Sequence, residues 1–154
     1  MHAETQRFVS LYGFFAIEYP KKWKQETDEH GQYIFSNESG GSGVTRIIVL
    51  ENEYTGTDAP KQALEEIFNQ NKSFNPTLLA TKQGTFVHYI KDHDINGSVF
   101  TVYYWASAYA DKIILFAYTV QEGMKEMETS VQERTDVENM VGSIEFLHDT
   151  ASHG

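Results

Sequence analysis

The sequence predicts an α+β fold in which two helices pack on a central antiparallel sheet. Three observations lead to this prediction. Several runs alternate apolar and polar residues with the period of two that is typical of strands. Short turns join neighbouring runs, as they do in antiparallel hairpins. Two longer stretches instead repeat apolar residues at helical spacing.

The first third of the chain consists of predicted strands. The large side chains of Phe15, Ile17 and Tyr19 alternate with Ala16 and Glu18. Pro20 ends the run because proline lacks the N–H that a strand needs. A second strand is predicted at 32–36 and a third at 44–51. The glycine-rich run 39–43 lies between these two strands, so the sequence predicts a long hairpin with a mobile tip.

One helix and three further strands follow. Asp58 is a suitable N-cap, Pro60 is tolerated in a first turn, and apolar residues recur on one stripe, so a helix is predicted at 59–72. Strands are then predicted at 85–91, 98–108 and 112–120. In the last two strands apolar residues occupy both faces, which predicts that both faces of the sheet are covered.

The chain ends with a second predicted helix and a terminal strand. The helical pattern begins at Met124 and runs to Val141, with an imperfect stripe near Arg134, and Gly142 suits its C-cap. Residues 143–147 have the pattern of a strand. Two helices of this length can cover one sheet face, which leaves the other face to loops, to the N-terminal hairpin or to a ligand.

Length and composition bound the class of protein. The 154 residues predict a single domain, with an ordered core at about 8–147 and a polar, frayed tail at 148–154. The absence of cysteine excludes disulfides, thiolate metal sites and a cysteine nucleophile. A formal net charge of −10 opposes binding to nucleic acid. No run approaches the roughly 20 apolar residues of a membrane span, and no signal peptide is visible, which favours a cytoplasmic location.

Two segments carry a resemblance to a known superfamily. The run FAIEYPKKW at 15–23 is an alternating strand followed by a Tyr-Pro-x-x-Trp bend, and VENMVGSIEF at 137–146 is a helix that enters a strand through a serine. Both resemble the Mog1/PsbP-like superfamily, and the chain looks most like the small bacterial domains of unknown function within it. The resemblance implies an α/β/α sandwich around a central antiparallel sheet. It also implies partner binding rather than catalysis.

An aromatic surface is the leading candidate for a partner site. Tyr103, Trp105 and Tyr118 lie on predicted strands. Tyrosine and tryptophan each carry a polar group at one edge of the ring, which suits a surface that loses its water only when a partner binds. Core packing is the competing interpretation. Lys21 and Lys22 could dock an acidic partner, unless they belong to a solvated turn around a core tryptophan. The predicted function is a non-enzymatic adaptor or chaperone-like module that binds a protein segment and needs no cofactor.

The alternative prediction is a small-ligand or ion site near the turn from Asp92 to Gly97. This run matches the first half of a calcium loop. Its twelfth position is Tyr103 instead of the required glutamate, so the EF-hand interpretation fails. Asn96 and Gly97 are instead the strongest short signal for a hairpin turn.

Two further motifs are weighed and set aside. His88 and His93 could share a metal ion, yet a continuous strand puts them on opposite faces, and a hydrogen-bonded sheet histidine is the preferred interpretation of His88. Backbone amides in the run 39–43 could cradle a phosphate, but no helix follows them, so a mobile tip is preferred. No metal site and no catalytic residue is predicted.

Overall fold

A computed structural model describes residues 4–147, and the predicted tail at 148–154 lies outside these residues. Ten strands and two α-helices occur in the described range. In chain order they are β1 (Thr5–Val9), β2 (Phe15–Pro20), β3 (Trp23–Thr27), β4 (Tyr33–Asn37), β5 (Gly43–Glu51), α1 (Ala59–Gln70), β6 (Thr77–Thr81), β7 (Gly84–Ile95), β8 (Ser98–Tyr109), β9 (Lys112–Gln121), α2 (Glu128–Gly142) and β10 (Glu145–Phe146).

The strands form two antiparallel sheets. The larger sheet has seven strands in the order β3-β4-β5-β9-β8-β7-β6, and every neighbouring pair runs antiparallel. The smaller sheet has the order β1-β2-β10, so strands from both ends of the described chain pair with β2. The predicted antiparallel sheet is confirmed, while the predicted first and last strands belong to a separate small sheet.

The main core lies between the larger sheet and a layer made of α2 and the smaller sheet. Trp105 of β8 and Phe116 of β9 are cross-strand neighbours and are buried on this face. Phe15 of β2 and Met140 of α2 belong to the same core cluster. The Oγ of Ser143 accepts a backbone N–H from β2 at 2.8 Å, which ties the end of α2 to that strand.

The helix α1 covers the opposite face of the larger sheet, where it packs on β7, β8 and β9. Its buried residues are Ala59 and Ala63, whose small side chains let the helix backbone lie close to the sheet. One helix therefore lies on each side of the larger sheet, which confirms the α/β/α sandwich that the resemblance implies. The two helices do not share one face of the larger sheet. One face is covered by α2 together with the smaller sheet, and the other is covered by α1.

The helix ends differ from the predicted ones by a few residues. The helix α1 stops at Gln70, and Asn71 takes the C-cap position with its side-chain amide donating to the helix at 2.8 Å. Asp58 occupies the N-cap position of α1 but makes no capping hydrogen bond with its side chain. The helix α2 begins at Glu128, because residues 122–124 form a separate 3-10 turn.

Three strands were not predicted, and all three lie at a sheet edge. They are β1 in the smaller sheet and β3 and β6 in the larger one. Edge strands are short and exposed, so they lack the clear apolar alternation of a buried strand. Within the described range each of them pairs with only one strand, the next one along the chain, so one side of each backbone and most of its side chains stay in contact with solvent.

Candidate partner-binding site

The structure places the predicted aromatic surface inside the core. Tyr103, Trp105 and Tyr118 are only 7%, 2% and 1% exposed. Tyr103 lies under the guanidinium of Arg134, 4.7 Å from the ring centre, and Trp105 stacks on His88 with 4.6 Å between ring centres. Packing within the chain accounts for all three residues, so the expected accessible aromatic face is absent from the described residues. Partner contact through them remains a prediction, which their burial does not favour.

Lys21 and Lys22 lie in the turn between β2 and β3, and both side chains are exposed. The Lys21 ammonium is 3.8 Å from the carboxylate of Glu4. The adjacent Trp23 begins β3 and is 6% exposed, which confirms that this tryptophan belongs to the core. A docking role for the two lysines remains a prediction.

The predicted alternative site is a tight hairpin turn between β7 and β8. Asn96 and Gly97 have φ values of 53° and 86°, the left-handed conformation that a two-residue type I′ turn requires. The carboxylate of Asp94 accepts the Gly97 N–H at 3.0 Å. The carboxylate of Asp92 accepts the Thr101 hydroxyl at 2.6 Å. Both carboxylates therefore bond within the hairpin, and they do not converge on a common ligand position.

The two histidines of β7 lie on opposite faces of the sheet, as predicted, because the strand continues without a break from one to the other. The Nδ1 of His88 is 2.8 Å from the carbonyl oxygen of Tyr104, and the Nε2 of His93 is 3.0 Å from the Tyr104 hydroxyl. His88 is thus a hydrogen-bonded sheet residue. Within residues 4–147, no group of three or more His, Cys, Asp and Glu side chains is arranged to hold a metal ion.

Glu133 was not singled out from the sequence, and it fixes the glycine-rich tip to α2. Its side chain is 2% exposed. Its Oε1 accepts the Tyr118 hydroxyl at 2.6 Å and the Gly43 N–H at 2.9 Å. The Ser42 N–H also donates to this carboxylate, at 3.2 Å from Oε2. We name this arrangement of Ser42, Gly43, Tyr118 and Glu133 the carboxylate clasp.

The clasp settles what the glycine-rich run does in this structure. The amides that were considered as a phosphate cradle bind a carboxylate of the same chain, and the tip is attached to α2 instead of projecting freely. A Cβ on Gly43 would lie 2.5 Å from the Tyr118 ring, so only glycine fits there without a shift. Burial, and then the bond to Glu133, raise the pKa of the Tyr118 hydroxyl.

A sequence signal for the clasp exists in hindsight. Ser130 and Glu133 precede Val137 and Met140 at spacings of three and four, so all four lie on one face of α2. All four are buried. Two polar residues at helix positions that face the core indicate a buried hydrogen-bonded network. The apolar stripe predicted for α2 does not include these two residues.

Beside α1 the sheet face is incompletely covered, and this leaves two grooves. The first, which we name the inner groove, lies between α1 and strands β5 and β9 and has a volume of about 330 Å³. Leu50, Ile67 and Leu115 form part of its apolar wall, and Glu66 and Tyr89 contribute polar groups. Burial raises the pKa of Tyr89 to about 12, so its hydroxyl stays protonated above pH 10, where a free tyrosine ionises.

The second groove, which we name the edge groove, lies on the other side of α1 next to β6 and β7. Its volume is about 420 Å³. Leu64, Phe68, Leu78 and Val87 give it an apolar floor, and Lys61 lies at its rim. Leu78 of β6 is 65% exposed, so the apolar surface continues from the groove onto the edge strand.

The fold is similar to that of Mog1p, with helices on both sides of an antiparallel sheet. The chain belongs to the family described as a domain of unknown function, DUF3805, whose model matches residues 3–146. No curated protein matches the sequence. None of the described helices is long and apolar enough to cross a membrane.

Solved structures confirm the resemblance found in the sequence. A protein from Bacteroides thetaiotaomicron VPI-5482 matches with a TM-score of 0.74 at 19% identity, over 96% of this chain and 50% of its own, so the chain spans about half the length of that protein. The Saccharomyces cerevisiae Ran-binding protein Mog1p matches with a TM-score of 0.59 at 11% identity, over 97% of this chain and 98% of Mog1p. LpqN of Mycobacterium tuberculosis, involved in cell envelope biogenesis, matches with a TM-score of 0.56 at 7% identity, over 96% of this chain and 93% of LpqN. At these identities the likeness shows the fold alone.

Proposed function

We propose that the protein is a non-enzymatic binding module that takes up an extended segment of another protein. The observation that carries this proposal is the exposed strand β6 beside the edge groove. In the described chain β6 pairs only with β7, so one side of its backbone has no strand partner. A polypeptide is the ligand that can pair with a strand edge along its length, and side-chain pockets next to the edge then give specificity.

The comparisons support a protein partner for this fold without identifying one. Mog1p, which shares the fold, is a Ran-binding protein. The carboxylate of Glu133, the most buried acid of the described chain, is taken up by donors of the clasp and serves the packing of the tip. Binding by surface complementarity is therefore the role that the geometry supports best.

The test is affinity capture from the source organism with three baits, each quantified by mass spectrometry. The baits are the unchanged protein, Leu78→Lys at the edge groove and Leu50→Lys at the inner groove. Both leucines are largely exposed, so both variants are expected to fold. We expect a protein that the unchanged bait and Leu50→Lys recover and that Leu78→Lys loses. Equal recovery of every captured protein by Leu78→Lys contradicts the proposal.

A small-ligand function is the second candidate, and the inner groove is the observation that favours it. Its volume lies at the lower end of the range for ligand pockets, and Tyr54, Glu66 and Asn71 supply polar groups around apolar walls. The hydrogen bond to Glu66 raises the pKa of Tyr54. Titration of the protein with heptylamine and with heptanoate, followed by NMR, tests this candidate. Shifts confined to the inner groove support it, and an unchanged spectrum contradicts it.

A further inference from the structure

The two edges of the larger sheet differ in charge. The edge strand β3 carries Lys24 and Glu26, whose side chains form an ion pair at 2.6 Å. The edge strand β6 reads TLLAT and carries no charge. Charged side chains on an edge strand are a common protection against pairing with other chains. The strand β3 has this protection, and β6 lacks it.

The register shows which backbone groups of β6 are free for pairing. The two-residue turn at Asn96 and Gly97 is closed by the hydrogen-bonded pair Ile95 and Ser98. Hydrogen-bonded pairs alternate along an antiparallel ladder, so the odd-numbered residues of β7 direct their backbone N–H and C=O groups to β8. The even-numbered residues of β7 direct theirs to β6. In β6 the partners of these even-numbered residues are Thr77, Leu79 and Thr81. Leu78 and Ala80 therefore point their N–H and C=O groups away from the sheet, and both residues are exposed.

Lysines surround this edge in a protein of strongly negative charge. Lys82 directly follows β6, Lys72 lies in a 3-10 turn five residues before it, and Lys61 lines the edge groove. All three are exposed, and none takes part in an ion pair within the described chain. Glu65 also lines the groove, so the excess of positive charge is clearest at the two ends of the strand.

We infer that the segment bound at this edge is an extended strand with an apolar centre and acidic residues at its flanks. Its backbone pairs with Leu78 and Ala80, an apolar side chain enters the edge groove, and its carboxylates approach Lys72 and Lys82. A second copy of this chain is a poor occupant, because it brings the same lysines to the same edge and a net charge of −10. This inference rests on the proposed function and specifies the partner of that site.

Two synthetic peptides test the inference. Both contain the same alternating valine and threonine core, and one carries two glutamates at each end where the other carries two lysines. Binding to the ¹⁵N-labelled protein is followed by NMR shifts and by hydrogen exchange of the Leu78 and Ala80 amides. We expect the glutamate peptide to protect both amides and to bind about tenfold more tightly than the lysine peptide, with a difference that shrinks as salt is added.

Each outcome of the peptide experiment has a distinct meaning. Equal binding of both peptides at the edge overturns the acidic-flank inference and leaves the proposed function intact. No effect of either peptide on the amides of β6 overturns the edge site itself, and with it the observation that carries the proposed function. A concentration-dependent dimer with protected Leu78 and Ala80 amides overturns the choice of partner in favour of a second copy.

Two variants separate the backbone and charge contributions, and the charge variant has a control on another part of the surface. Ala80→Pro removes an outward N–H and no bond to β7, and proline is tolerated on edge strands, so this variant is expected to fold and to lose peptide binding. Replacing Lys72 and Lys82 together by glutamine is expected to abolish most of the preference for the glutamate peptide. Replacing Lys22, which is also exposed but lies in the turn between β2 and β3, by glutamine is the control. An unchanged preference in the double variant contradicts the inference.

Discussion

At the scale of single residues, Glu133 has the largest expected effect on stability among the polar side chains. Its carboxylate is buried and accepts hydrogen bonds from the backbone of the tip and from Tyr118. Replacing it by alanine leaves these buried donors without an acceptor, so Glu133→Ala is expected to lower the free energy of unfolding by about 2–4 kcal/mol. Urea denaturation measures this. Glu138→Ala, an exposed position on the same helix, is the control, and equal stability of the two variants contradicts the role given to the clasp.

Gly43 makes a separate test of the same contact. Its added Cβ would lie 2.5 Å from the Tyr118 ring, whereas a Cβ on Gly123 meets nothing within 4 Å. Gly43→Ala is therefore expected to lose about 1–3 kcal/mol through overpacking, and Gly123→Ala to change little. Thermal melting compares the two. Similar melting temperatures would mean that the tip moves away from Tyr118 at little cost.

The buried tyrosines predict a loss of stability at alkaline pH. Burial raises the pKa of Tyr89 to about 12 and also raises the pKa of Tyr118. The unfolded chain ionises its tyrosines near pH 10, where the folded protein keeps both hydroxyls protonated. Since the folded state then binds more protons, the free energy of unfolding falls as pH rises above about 10. Denaturation at several alkaline pH values is expected to show a smaller fall in the free energy of unfolding for Tyr118→Phe than for the unchanged protein. Tyr12→Phe is expected to show the same fall as the unchanged protein, because Tyr12 is 99% exposed.

At the scale of elements, the two tryptophans are expected to behave alike. The sequence offers Trp105 as part of a candidate partner surface, a role in which its side chain would be accessible and replaceable without loss of the fold. Both are buried, at 2% and 6% exposure. Trp105→Ala and Trp23→Ala are therefore each expected to lower stability by about 3–5 kcal/mol. Urea denaturation measures both, with Tyr12→Ala as the exposed aromatic control, and a folded Trp105→Ala variant of unchanged stability would restore the earlier hypothesis.

Elements with a strong local pattern were predictable, and short edge strands without such a pattern were not. The strands β7, β8 and β9 and the helix α1 follow from alternation, from the Asn96-Gly97 turn and from one apolar stripe. The edge strands β1, β3 and β6 have no such pattern, because one neighbouring strand fixes their conformation.

The candidate site was harder to predict than the fold for a related reason. An aromatic residue in a strand has the same sequence signal whether its face is covered or open, and Trp105 and Tyr118 prove to be covered by α2 and the smaller sheet. The grooves beside α1 arise from where that helix lies on the sheet, which no short motif records. What the sequence does contain is the uncharged run of β6, and its meaning becomes clear only once the strand is known to be an edge.

At the scale of the whole molecule, the two sheets are expected to unfold together. They share one core cluster, in which residues of β2, β8, β9, β10 and α2 are in contact. A single cooperative transition is therefore expected in urea, with coincident curves from tryptophan fluorescence and far-UV circular dichroism. Native-state hydrogen exchange adds a local check. If the amides of β2 exchange through an opening much less costly than that of β8, the smaller sheet is an independent unit and the expectation is wrong.

The pairing of β2 with strands from both ends of the described chain has a consequence for biosynthesis. The strand β1 leaves the ribosome just ahead of β2, but β10 becomes available only after residue 146 has been made. At about 5–20 residues per second, roughly 7–26 s pass between Phe15 and Phe146. During this interval Phe15 and Ile17, which are fully buried in the finished domain, have no partner in β10 or α2. The nascent chain therefore exposes an apolar strand until residue 146 has been made, and this is the interval in which a ribosome-associated chaperone has the most to protect.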